Sequence, residues 1–165
     1  MFFVRSASSR DIAAIREVLA ETWRATYAQF YGAARVEEIV AEWHSEAAIR
    51  AHLERPDGEF LLADDGRMIG GVAFASHSSE TRTVTLHQLY VRPQCQGLGV
   101  GRDLFAEIET CFPGARKLAL EVDPGNEPAI AFYKAHGMVE SGRTDNCGRD
   151  GSGIPALIME KPLSG

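Results

Sequence analysis

One segment constrains this chain more than any other: Leu89-Tyr90-Val91-Arg92-Pro93-Gln94-Cys95-Gln96-Gly97-Leu98-Gly99-Val100-Gly101-Arg102. An apolar stretch of strand character runs into glycines at alternate positions, and an amphipathic helical pattern follows from Asp103 to Cys111. Glycines leave backbone N–H groups approachable, and a helix N-terminus adds partial positive charge. Together they make a site for a diphosphate, with Arg102 adding a full charge at its rim. Other nucleotide motifs fail on detail. There is no G-x-x-x-x-G-K-[ST], which disfavours a P-loop kinase. The spacing is G-x-G-x-G rather than G-x-G-x-x-G and lies mid-chain after several strands, which disfavours a dinucleotide fold.

The rest of the chain alternates strand and helix patterns. Phe2 to Ala7 reads as a strand, and Ser8 or Ser9 can cap a helix from about Asp11 that carries Ile12, Ile15, Val18 and Leu19. A second helical region runs from about Arg35 to Leu53, with the aromatic-rich segment Trp23 to Tyr31 between the two. A hairpin follows: Phe60 to Ala63, a turn at Asp64-Asp65-Gly66, and Met68 to Ala75. Further strands are expected at Thr83 to Val91, Lys117 to Val122, Met138 to Arg143 and Ile154 to Glu160. Helices are expected from about Gly99 to Cys111 and from Glu127 to His136, the latter ended by Gly137. The expected fold is α/β, a mixed sheet of six or seven strands with about four helices, in a single domain over residues 1–165.

Composition removes several function classes. A net charge of −6 disfavours generic nucleic-acid binding, which needs clustered Lys and Arg. No apolar run is long enough to span a bilayer, and no signal peptide is read at the start. The 3 cysteines, Cys95, Cys111 and Cys147, are odd in number and widely spaced, which points to reduced thiols and a cytoplasmic location. Neither they nor the 5 histidines fall at metal-ligand spacing, so no metal is expected. Nothing specifies an oligomeric state, and a homodimer stays open.

Gln96 to Gly101 resembles the Q/R-x-x-G-x-G/A signature of the GNAT superfamily of N-acetyltransferases, preceded by L-x-V-x-P as in that superfamily. The resemblance extends over nearly the whole chain, through Val4-Arg5 to Leu19, Ile69-Gly70-Gly71 and Asn126 to Met138. It implies a GNAT-like acyl-CoA N-acyltransferase fold with acetyl-CoA as cosubstrate, its phosphates on Gln96, Gly97, Leu98, Gly99, Val100, Gly101 and Arg102. The strand residues Leu89, Tyr90 and Val91 would then pair with the pantetheine arm, and a backbone N–H near Leu89 would polarise the thioester carbonyl. Cys95 departs from the family pattern and reads as a small filler.

Acetyl transfer to an amine needs a base for the ammonium, a donor for the oxyanion and an acid for the leaving thiolate. The segment Ala129-Ile130-Ala131-Phe132-Tyr133 resembles the family's A-x-x-x-Y, which implies Tyr133 as that acid. Asn126 lies seven residues earlier, close to the same helix face, and is either a pantetheine contact or a helix cap. Glu121 is the leading base: alternation sets it opposite Leu118, Leu120 and Val122, and its position resembles the glutamate base of ribosomal-protein N-terminal acetyltransferases. His87 is the second candidate, on the face of Leu89, and ordered water is a third.

For the acceptor, a primary amine of a small molecule or of a peptide N-terminus, the candidate residues are Trp23, Tyr27 and Tyr31. Aromatic rings can wall a cation-binding pocket, or simply be core. The polar loop Thr144 to Gly153 is expected to be mobile and to close over the acceptor. A non-catalytic acetyl-CoA sensor is the competing reading, and an intact Tyr133 with an available Glu121 argues against it.

Overall fold

The computed structural model describes residues 1–147 and 152–164. Strands β1 (Phe3–Ser6), β2 (Gly58–Asp64), β3 (Ile69–Ser78), β4 (Thr83–Val91), β5 (Lys117–Val122), β6 (Val139–Thr144) and β7 (Ala156–Pro162) form a 7-stranded sheet in the order β1-β2-β3-β4-β5-β7-β6. The helices are α1 (Ile12–Tyr31), α2 (Ala33–Trp43), α3 (Glu46–Leu53), α4 (Val100–Thr110) and α5 (Glu127–Ala135). The sheet is mixed. The connection through α4 makes β4 and β5 parallel, whereas β7 pairs antiparallel with both β5 and β6. The α5 connection therefore returns β6 in the same direction as β5, with β7 inserted between them.

Two expectations about the helices need correction. Trp23 to Tyr31 is not an interhelical segment. Buried Ile12, Ile15, Val18, Leu19, Thr22, Trp23 and Tyr27 keep three- and four-residue spacing, and α1 runs on until Gly32, at φ +80°. Aromatic and β-branched residues have modest helix propensity, but the buried stripe overrides it. The region from Arg35 to Leu53 is two helices, not one. His44 leaves helical geometry at φ −121°, and Ser45 caps α3 by accepting from the Ala48 amide at 3.1 Å. Among the described residues there are five α-helices, where about four were expected.

The chain divides into two compact units, and the division falls within β3 and β4: residues Met1–Ala75 with Gln88–Cys111, and Ser76–His87 with Phe112–Gly165. In the first unit Ile15, Val18 and Leu19 of α1 join Leu62 of β2 and Val72 and Phe74 of β3 in one core, with Ile49 of α3. Each such side chain contributes roughly 1.5–3 kcal/mol by leaving water. Arg5 ties the start of this unit together, donating to Asp11 at 2.8 Å and Asp64 at 2.9 Å. That guanidinium holds the Asp11 carboxyl down at about 2. The hairpin turn forms as the sequence predicts: Asp65 accepts from the amides of Arg67 and Met68, and Gly66 sits at φ +90°.

The second unit buries Val84, Leu86, Leu118, Leu120, Met138 and Met159. Among the described residues no helix is long and apolar enough to cross a membrane.

Candidate active site

The glycine segment is built by backbone. Arg92 fixes its origin: its amide donates to the Gly70 carbonyl at 2.9 Å and its Nε to the Ile69 carbonyl at 2.7 Å, while its Nη1 pairs with Glu21 of α1. A single 3-10 turn, Pro93–Cys95, then turns the chain. Cys95 is buried there, and burial raises its thiol, which suits the filler role. Gly97 at φ +81° and Gly99 at φ +83° occupy the left-handed region, which side chains with a Cβ enter only at a cost.

At Gly97 a Cβ would meet open space, while at Gly99 it would stand 2.7 Å from Nη2 of Arg102. The Arg102 guanidinium therefore lies over Gly99, with its side chain 69% exposed and beside Asp103 at 3.4 Å. Among the described residues no side chain caps α4. Its first-turn amides, those of Val100, Gly101 and Arg102, consequently have no intrahelical acceptor and face outward from the helix start.

Gly71 explains how close this helix comes to the sheet. A Cβ there would stand 2.8 Å from Cγ1 of Val100 and 2.9 Å from the Tyr90 carbonyl oxygen. The glycine thus lets the start of α4 pack on β3. In sequence it is visible only as part of Ile69-Gly70-Gly71, and the clash that demands it appears only with the neighbours in place. Leu89, Tyr90 and Val91 of β4 are half-buried in the same unit.

Also in this unit are the expected acceptor residues. Trp23 and Tyr27 are buried, and Tyr31 is half-buried. Trp23 packs against Tyr27 at 4.3 Å and edge-on to Trp43 at 6.0 Å between ring centroids; Tyr27 lies 5.9 Å from Tyr31. Each such pair adds about 0.5–1.5 kcal/mol beyond area burial. His44, which sequence reasoning did not single out, joins this cluster 5.7 Å from Trp23 and 6.2 Å from Tyr90. Its two ring nitrogens and the Trp23 indole N–H are buried without hydrogen-bond partners among the described residues. Burial depresses the His44 imidazole to about 4, helped by His52, so it is neutral at pH 7.

The second unit carries the acid–base candidates. On β5, Leu118, Leu120 and Val122 are buried while Glu121 is exposed, as alternation predicts. Glu121 stands opposite Ile158 of β7. Burial, with the charges of Glu121 and Asp123, pushes the Cys147 thiol up to about 11. His87 is exposed on β4, and its Nε2 lies 2.8 Å from Oγ of Ser76 on β3. Ser76 was not anticipated; only the pairing of the two strands brings it to the histidine.

Helix α5 begins with Asn126, whose side chain accepts from the Ala129 amide at 3.2 Å, so the capping role is present. Pro128 follows in the first turn, where its missing N–H costs nothing. Tyr133 is 9% exposed and meets Phe132 edge-on at 5.5 Å. In the loop after β6, the Cys147 amide donates to the Ile154 carbonyl at 2.7 Å and the Gly153 amide to Asn146 at 3.1 Å. Residues 148–151 of the expected acceptor-closing loop lie outside the described residues.

Residues 13–138 match the model of the Acetyltransferase (GNAT) family. The chain belongs to this family. The enzyme is 30% identical over 126 residues to a Bacillus subtilis (strain 168) protein named as a putative alanine N-acetyltransferase of ribosomal protein bS18, covering 73% of this chain and 80% of that one. It is 26% identical over 142 residues to spermidine N(1)-acetyltransferase of Thermoplasma acidophilum, covering 82% of this chain and 86% of the relative. Among solved structures, the PaiA N-acetyltransferase of Thermoplasma acidophilum in complex with coenzyme A superposes with a TM-score of 0.86 at 25% identity, covering 99% of each chain. This acetyltransferase therefore shares the GNAT fold along its length.

Proposed function

We propose that residues 1–165 act as one acetyltransferase domain that moves the acetyl group of acetyl-CoA to a primary amine by direct attack in a ternary complex. The observation that carries this reading is the uncapped start of α4 behind two left-handed glycines, Gly97 and Gly99, with the Arg102 guanidinium beside them. A diphosphate needs several amide donors, no intruding Cβ and a nearby cation, and the residues present fit that need. The solved PaiA relative, named as a complex with coenzyme A, supports it.

Acetyl-CoA supplies an activated acyl carbon and a thiolate that departs. The backbone amides from Gly97 to Arg102 would hold its diphosphate, while Leu89, Tyr90 and Val91 would offer backbone groups to its arm. An N–H near Leu89 would donate to the thioester carbonyl oxygen of bound acetyl-CoA. Tyr133 gives the proton to sulfur, and Glu121 or His87 removes one from the ammonium. The relatives are named for a protein alanine and for spermidine, both of which offer an amino group that is protonated at neutral pH. A chain of net charge −6 favours the approach of such a molecule, with Trp23, Tyr27 and Tyr31 on the acceptor side. Three free thiols suit a reducing cytoplasm.

Titration calorimetry with coenzyme A, followed by thiol release over spermidine and alanine-terminated peptides, tests the reading. Binding together with amine-dependent thiol release is expected. No heat with coenzyme A would overturn the cofactor assignment, and binding without release on any amine would leave a sensor.

A further inference from the structure

Gln96, Gly97 and Leu98 are exposed, so the glycine turn is fixed at its two ends. The far end is fixed by packing, where Val100 rests on Gly71. The near end is fixed by Arg92, and every polar group of that residue takes part. Its carbonyl accepts from the Cys95 amide at 2.9 Å, which folds the turn back onto buried Cys95. Its amide and its Nε donate to the carbonyls of Gly70 and Ile69 on β3. Its Nη1 donates to Glu21, 71 residues earlier on α1, and its Nη2 lies 3.8 Å from Glu17, one turn before. The Arg92 side chain is 13% exposed, whereas the other paired arginines of this unit are 38% exposed or more among the described residues. Little water reaches the guanidinium to screen the pair.

We propose that Glu21 and Arg92 are a positioning pair that sets the phosphate turn against α1. Affinity for the diphosphate of acetyl-CoA is then governed from the helix that also carries Trp23 and Tyr27. This rests on the phosphate reading of the glycine segment above. The guanidinium is a planar fork, which is what lets one side chain serve the Ile69 carbonyl and the Glu21 carboxylate at once. Without Glu21, Nη1 loses its acceptor and the side chain can swing toward water. The Arg92 backbone, and the Cys95 turn hung from it, then lose one of their supports. A site made of amides depends on preorganisation, so a looser origin weakens binding rather than slowing the chemistry. Direct attraction between Arg92 and phosphate is the rival account, and it has the opposite sign. Glu21 would then offset the Arg92 charge, and removing it would tighten binding.

Titration calorimetry with coenzyme A tests this, with thermal unfolding to show that each variant is folded. Glu21→Ala should weaken coenzyme A binding about ten-fold, the scale of one hydrogen bond to a charged group. At saturating acetyl-CoA, kcat should change by less than about two-fold, so that the loss lies in KM. Glu21→Gln keeps an acceptor of equal length and should fall between wild type and Glu21→Ala; it carries the test should Glu21→Ala not fold. Arg92→Gln should also weaken binding, and adding Glu21→Ala to it should cost nothing more. Glu37→Ala, which breaks the exposed Arg24–Glu37 pair elsewhere on α1, should leave coenzyme A binding unchanged. Equal or tighter binding in Glu21→Ala, or an equal loss in Glu37→Ala, would overturn the proposal. So would a further loss when Glu21→Ala is added to Arg92→Gln. No heat from the wild type would instead remove the phosphate reading itself, and leave the pair nothing to position.

Discussion

The glycine segment before α4 and the aromatic cluster of α1 and α2 are two regions of one unit, yet they store their chemistry differently. The first works through main-chain groups. Positive φ at Gly97 and Gly99, and the missing Cβ at Gly71, are properties of residue type, and glycine spacing records them directly. The second works through side chains, where Trp23, Tyr27 and His44 could be core or pocket until their neighbours are known. Backbone sites leave a local signature, and side-chain sites leave a set of alternatives.

The strongest challenge to this contrast is Gly99→Glu. The left-handed backbone disfavours it, the new Cβ would meet Arg102, and the carboxylate would repel phosphate. Affinity for coenzyme A by calorimetry should fall by more than about a hundred-fold. Normal binding would mean the segment is not a phosphate site. On the side-chain side, Tyr133→Phe should slow turnover by about ten- to a thousand-fold while coenzyme A still binds, as measured by single-turnover kinetics beside calorimetry. Unchanged turnover would remove Tyr133 from the chemistry.

His44 sharpens the comparison through stability. Its folded pKa of about 4 lies below the ordinary value of 6.5, so the unfolded chain binds more protons between these limits. The stability this neutral, buried ring contributes is complete above pH 6.5 and is lost as pH falls towards 4, on the order of 3 kcal/mol. Denaturant titrations across that window should show the loss, and His44→Leu should flatten it. An unchanged slope in that variant would show that the ring is not protected from protonation. The smallest effect is expected at the helix break: Ser45→Ala should cost about 1 kcal/mol in the same denaturation assay, through loss of the α3 cap. A stability equal to wild type would mean that Ser45 does not define the break.

The strands were legible because their alternation is short-ranged, and β4 and β5 lie where Thr83 to Val91 and Lys117 to Val122 predicted them. The helical region was misread where two local signals competed. Aromatics from Trp23 to Tyr31 suggested a break that the buried stripe of α1 overrode, while the actual break at His44 and Ser45 was marked only by a capping residue. Of the candidate site, the glycine turn that opens α4 and Glu121's exposed face could be read from spacing. Ser76 could not, because a serine eleven residues from a histidine carries no signal until two strands lie side by side.

Residue order alone settled the hairpin turn at Asp65-Gly66, which helix begins at glycine and which strand faces are apolar, since each follows from φ preference or from a period of two or four residues. Tertiary structure decided which side chains meet. Ser76 reaching His87, His44 joining Trp23, and Val100 resting on Gly71 are contacts between segments far apart in the chain, and local periodicity contains no information about distance across a sheet.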